Sequence, residues 1–133
     1  MPSTYTFISS NVLGSTTNSY TSHRLFGNGT TAIAEGSANQ SQIRVQSGAL
    51  VTSSGNPFVA ASIVDFHDYT STTKNKTVRA FAGCNDNSAS ISEIGLSSGV
   101  FMDTTAITSI TLRNYYTDFG TNCVFSLYGI KGA

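Results

Sequence analysis

The sequence predicts an all-β chain, folded as a single-domain antiparallel β-sandwich of jelly-roll-like kind. Three observations point there. Ile and Val together number 17 against six Leu, and with abundant Thr and Tyr this balance suits pleated, half-buried surfaces better than helices. Short apolar or alternating runs recur between clusters of Gly, Asn and Ser, which is the rhythm of sandwiches and barrels. The 133 residues suffice for one core and are too few for two.

Taken in order, the runs predict strands at Tyr5–Ile8, Ser19–Phe26, Thr31–Ala34, Gln42–Val51, Phe58–Phe66, Thr77–Cys84, Ala89–Leu96, Thr105–Arg113 and Cys123–Ile130. Residues 1–22 form an N-terminal arm and first strand with an intersubunit role, and 23–133 form the sandwich. Turn chemistry separates the runs. Gly27, Asn28 and Gly29 tolerate positive φ between two strand-like segments. Gly55, Asn56 and Pro57 stop one run before the next begins, and Lys74, Asn75 and Lys76 read as a solvated loop tip. The segment Ser88–Ser97 has mixed periodicity and leaves a helix open as the alternative.

Strand phase follows from the two-residue period. In Thr105–Arg113 the face of Ala106, Thr108, Ile110 and Leu112 is expected to point inward, with Ile107, Ser109, Thr111 and Arg113 opposite. In the last run both faces carry apolar groups: Cys123, Phe125 and Leu127 on one, Val124, Tyr128 and Ile130 on the other. Such a strand is expected to be central, or covered at a subunit contact.

Charged residues make up 11% of the chain, and seven basic residues balance seven acidic ones. No field is available to hold a nucleic-acid backbone or an anionic membrane, so neither is an expected partner. Ser and Thr fill 38 positions, giving a surface of hydroxyls that resists association poorly and suits a member of an assembly. The opening MPSTYTF has neither a basic region nor an apolar one, and no stretch approaches 18 apolar residues. Neither export by a signal nor a membrane span is expected.

Few residues suggest chemistry. Asp65 and His67 lie two apart, on one side of a strand, where both could reach one divalent ion or form half of an acid/base pair. A metal site wants three or four ligands, and the other histidine, His23, sits in a separate segment. The reading adopted is a polar strand end with local hydrogen bonds. The Gly27–Gly29 segment lacks the spacing and the flanking strand and helix of a phosphate cradle. Cys84 and Cys123 are either two small buried hydrophobes or, if their strands are neighbours, one bridge. No enzyme activity, cofactor or metal is expected. Tyr115, Tyr116 and Phe119 place three aromatics in a loop before the last run, either as a lid over one end of the fold or as an anchor for a partner or a sugar. These three are the expected interface residues.

Five segments, Met1–Ile8 (MPSTYTFI), Arg24–Ala32 (RLFGNGTTA), Tyr69–Val78 (YTSTTKNKTV), Thr104–Leu112 (TTAITSITL) and Phe125–Ile130 (FSLYGI), resemble a family of small virion structural proteins of tailed bacteriophages. The resemblance is strongest from Arg24 to the C-terminus. Its members are labelled capsid decoration, cement or tail-fibre proteins. The resemblance implies a decoration protein made in the bacterial cytoplasm and placed on the outer capsid surface. Its partners would be the major capsid protein and copies of itself, as a homotrimer; the alternative is a tail-fibre component that recognises a host glycan. Family members carry one or two further strands where this chain has only residues 9–23. A sandwich lacking them would expose a sheet edge, which pairing with another copy or with the capsid would satisfy.

Overall fold

The computed structural model describes residues 5–9, 19–47, 59–85, 92–114 and 123–130. It is all-β and antiparallel, with no helix among the described residues. Among the described residues eight strands run β1 (Tyr5–Ser9), β2 (Tyr20–Gly27), β3 (Ala32–Gln40), β4 (Ile43–Ser47), β5 (Val59–His67), β6 (Lys76–Asn85), β7 (Ser92–Phe101) and β8 (Thr111–Asn114). They form a five-stranded sheet in the order β3-β2-β7-β6-β5 and a three-stranded sheet in the order β4-β1-β8. The sheets meet where β4 packs against β7, β6 and β2.

Alternation in β6 fixes the two faces of the large sheet. Lys76, Val78, Ala80, Ala82 and Cys84 are buried, whereas Thr77, Arg79, Phe81 and Asn85 are exposed. Register carries this phase to the neighbours, placing Phe101 beside Lys76 and Ser97 beside Ala80 on β7. On β2, Tyr20 faces Phe101 and Arg24 faces Ser97. The inner face therefore presents Tyr20, Val78, Ala80 and Phe101 to Ile43 and Val45 of β4, and these six form the buried cluster. Full burial of side chains of this kind contributes about 1.5–3 kcal/mol for each large one. Tyr20 and Phe101 stack, with ring centroids 4.9 Å apart. The sheets approach most closely at Gly99, where a Cβ would lie 2.5 Å from Ile43 Cγ2, so only glycine fits beneath β4.

The β2–β3 hairpin turns as its sequence predicts. The Asn28 carboxamide oxygen accepts from Thr30 N at 3.3 Å and Thr31 N at 2.9 Å, and Gly29 takes φ 88°. The side chain thus mimics a turn of backbone, and glycine supplies the left-handed residue.

Several expectations are corrected. Lys76 is not at a solvated tip: it begins β6 on the inner face and is completely buried. Its ammonium donates to the carbonyls of Ser71 (2.7 Å), Lys74 (2.9 Å), Asp103 (3.2 Å) and Thr104 (2.6 Å). One cation therefore ties the β5–β6 turn to the segment after β7. A second tie lies beside it, from Ile107 N to Tyr69 O at 2.8 Å. That bond sets the phase of Ile107, which packs on the core although alternation placed it outward, while Thr108 is exposed. Strand structure in this region begins only at Thr111. The segment Ser88–Ser97, where a helix was open, contributes to strand β7.

The largest correction concerns Cys123–Ile130. Among the described residues this segment is in neither sheet. Val124, Leu127, Tyr128 and Ile130 are each more than four-fifths exposed. Among the described residues it is not a central strand of either sheet.

Candidate interaction surface

The outer face of the five-stranded sheet carries an apolar row that crosses every strand. Register aligns Ala34 of β3 with Leu25 of β2, Leu25 with Leu96 of β7, Leu96 with Phe81 of β6, and Phe81 with Ile63 of β5. Ile94 flanks the row one pleat away, opposite Gly27 and Gly83. Leu25, Ile63, Phe81, Ile94 and Leu96 are all at least half exposed. At about 4.8 Å per strand the row is roughly 19 Å long. Apolar side chains scattered singly on a surface need no explanation, but a contiguous band of this kind marks an interaction surface.

A polar row lies beside it. His23 of β2 aligns with Ser98 of β7, Ser98 with Arg79 of β6, and Arg79 with Asp65 of β5. The Asp65 carboxylate accepts from Arg79 Nε at 3.1 Å and Nη2 at 2.9 Å. His67 follows on the same face, opposite Thr77, and is exposed. The polar strand end expected around Asp65 thus takes the form of a cross-strand ion pair. His23 and Asp65 stand at separate strands of this row. No group of three or more His, Cys, Asp and Glu gathers among the described residues.

Ionic chemistry on the inner face went unseen in the sequence. Arg24 of β2 lies opposite Glu35 of β3, and its Nη2 is 2.8 Å from Glu35 Oε2. Its guanidinium sits 4.2 Å from the centre of the Phe26 ring, with Glu93 of β7 4.0 Å from Nη1. Arg44 of β4 reaches the same Glu35 oxygen at 3.3 Å. Glu35 thus bridges a buried arginine of the large sheet to an arginine of the small one. Directional pairs of this sort set how two sheets align more than they add net stability. The participants are separated along the chain and carry no local motif, so only tertiary register reveals them.

Cys84 is buried on the inner face, Cys123 is half-buried, and no disulfide joins them. The expected interface residues Tyr115, Tyr116 and Phe119 lie outside the described residues.

Asp103 connects this architecture to pH. Its carboxylate accepts from Thr105 N at 2.7 Å. That backbone bond, the Thr105 hydroxyl and the nearby Lys76 charge hold its pKa below the ordinary aspartate value, against an opposing effect of burial. A folded-state pKa below the unfolded one contributes stability above the unfolded value, and this is lost as pH falls through the folded value. Acidification should therefore lower the melting temperature of the native chain more than that of Asp103→Asn. Thermal melts at neutral and strongly acidic pH measure the difference, and equal losses would remove Asp103 from the account.

No protein-family model, curated protein or solved structure matches this chain.

Proposed function

We propose that the chain is a structural protein of a tailed-phage virion. It would act as a decoration (cement) protein on the outer capsid surface, associate with its own copies as a homotrimer, and catalyse no reaction. The observation that carries the associative part is the apolar row from Ala34 to Ile63 on an otherwise hydroxyl-rich, weakly charged surface. Virion placement is supported by the sequence resemblance in the Arg24–Ala32, Tyr69–Val78, Thr104–Leu112 and Phe125–Ile130 segments. The two sheets are read as a jelly-roll-like sandwich on the strength of the nested β1–β8 and β2–β7 pairings.

Its mechanism is mechanical. A decoration protein bridging capsid subunits adds buried interface at each contact, of the order of 1,600 Å² for a standard one, and repetition over the shell multiplies the effect. Apolar contact and backbone pairing would supply the strength, since the surface holds few charges.

Two measurements on purified particles test this reading. Counting should find the chain in capsid-like numbers, not the handful that a tail carries. Particles lacking it should release DNA at a lower temperature than complete ones. Equal release temperatures, or tail-like numbers, would overturn the decoration role.

A further inference from the structure

The outer face of the five-stranded sheet has relief as well as apolarity. The row of Ala34, Leu25, Leu96, Phe81 and Ile63 is a ridge, with a large side chain on each strand but β3. One pleat away, about 7 Å along the strands, register aligns Ala32 of β3, Gly27 of β2, Ile94 of β7, Gly83 of β6 and Ala61 of β5. This second row is a trough, filled only at its centre by Ile94. Leu25, Ile63, Phe81, Ile94 and Leu96 are 50–68% exposed, so the relief faces outward.

Folding does not call for the glycine at 83. A Cβ there would meet Glu93 O at 3.7 Å, an ordinary contact, and the residue takes no left-handed φ. Pairing with β5 and β7 runs through it without a bulge. Glycine inside a strand weakens it, and one that neither bends the chain nor relieves a clash within it marks close approach by another surface. Gly27 ends β2 at the hairpin turn and leaves a matching gap beside Leu25, where a Cβ would meet Thr31 O at 3.8 Å.

Ridge and trough are shaped to each other. Turning a second copy over about a two-fold axis that runs across the strands, midway between the two rows, sets each ridge in the other trough. Leu25 of one copy then lies over Gly27 of the other, Phe81 over Gly83 and Ile63 over Ala61, while Leu96 and Ile94 of both copies meet at the centre. Such a contact is isologous, so each pairing occurs twice, and the two sheets stack as the layers of a sandwich do. Charge does not oppose it, because Arg79 and Asp65 on this face match each other within the chain. The strands run eight to ten residues. A face of about 19 Å by 30 Å would cover roughly 1,100 Å² over both copies, above the ~1,000 Å² that a specific interface needs.

We propose that two copies of this chain pack face to face through the outer sheet, each ridge seated in the other's trough. The pairing rests on the self-association part of the proposed function, adds a two-fold contact to the three-fold one, and is independent of placement in a virion.

Sedimentation of full-length variants over a dilution series tests it. Gly83→Leu fills the trough and adds apolar surface; it should raise the concentration needed for pairing at least about tenfold, whereas unspecific apolar sticking would be strengthened. Phe81→Ala lowers the ridge and should weaken pairing by a similar factor. The two together exchange ridge and trough on β6 and should return pairing to within about threefold of wild type. Circular dichroism at high dilution should show the wild-type β signal in all three, since Phe81 is half exposed and a Cβ at 83 has room. A Gly83→Leu chain that loses this signal would show the trough to be filled within its own chain, and would overturn the pairing. So would undiminished association of Gly83→Leu, a double variant as weak as its two losses added, or wild-type assembly by threes alone. In each of these cases an associating wild-type chain leaves the broader reading intact. A wild-type chain that stays single at every concentration would overturn both and leave the face to a different partner.

Discussion

Replacing Lys76 by Met should destabilise the fold by about 3 kcal/mol or more, lowering the melting temperature by roughly 10 °C. Methionine retains the length and the apolar stem of the side chain but removes the ammonium. The carbonyls of Ser71, Lys74, Asp103 and Thr104 now meet that group at 2.6–3.2 Å. Loss of a buried hydrogen-bonding partner costs about 1–3 kcal/mol for each group left unsatisfied, and water can reach only some of them. The effect should be local before it is global. Amide exchange should accelerate first at Ile107, whose N–H bonds to Tyr69 O in the same tie. Urea denaturation followed by circular dichroism measures the total. A Lys76→Met variant within about 0.5 kcal/mol of wild type would mean that the lysine does not hold these two segments together.

The second large effect is expected at Phe101. Its ring is almost wholly buried, stacks on Tyr20 and belongs to the cluster under β4. Phe101→Ala should cost about 3–5 kcal/mol, because the lost transfer energy is joined by a cavity between two sheets that cannot easily collapse. Gly99 already brings β7 as near to Ile43 as a backbone can come, which limits that collapse. Phe101→Leu keeps much of the volume and should cost clearly less. Equal stabilities for the Ala and Leu variants would show that the ring does not fill the space between the sheets.

Strands with a clear two-residue period were legible. In β6, Val78, Ala80, Ala82 and Cys84 alternate with Thr77, Arg79, Phe81 and Gly83, polar or glycine except at Phe81, and the sequence places this strand to within a residue at each end. The β2–β3 turn was legible because Asn28 and Gly29 do local work that local sequence can announce. The β3 strand was expected to stop at Ala34 but continues to Gln40. Glu35 to Gln40 carries no large apolar residue on either side, and an edge strand facing water needs no apolar alternation. Strand β7 extends through Ser97, Ser98 and Gly99 to Phe101, and small residues there look like a loop until β4 is seen lying over them. Lys76 was misread for a similar reason: its acceptors come partly from residues 103 and 104, which no local window contains.

Reading Cys123–Ile130 as a strand illustrates a further limit. Apolar alternation reports that a segment is fit to be a strand, and it is silent on whether the partner strand belongs to the same chain. Here the segment is apolar, yet Val124, Leu127, Tyr128 and Ile130 are exposed. The outer row from Ala34 to Ile63 likewise came from no single strand. Each strand gives one or two apolar residues, and only register joins them into a band. Of the candidate surface, the sequence therefore showed the low charge and the apolar last segment, and concealed the band.

The central claim is that this chain works through sheet margins and apolar faces that its companions cover. Hydrogen exchange of the backbone amides, measured on the intact chain over a dilution series, tests it most directly. Protection at β5, residues 59–67, which lies at the margin of the large sheet among the described residues, should be greatest when the chain is concentrated and should fade as it is diluted, while β6 and β7 stay protected throughout. Exchange along β5 that is the same at every concentration would contradict the account.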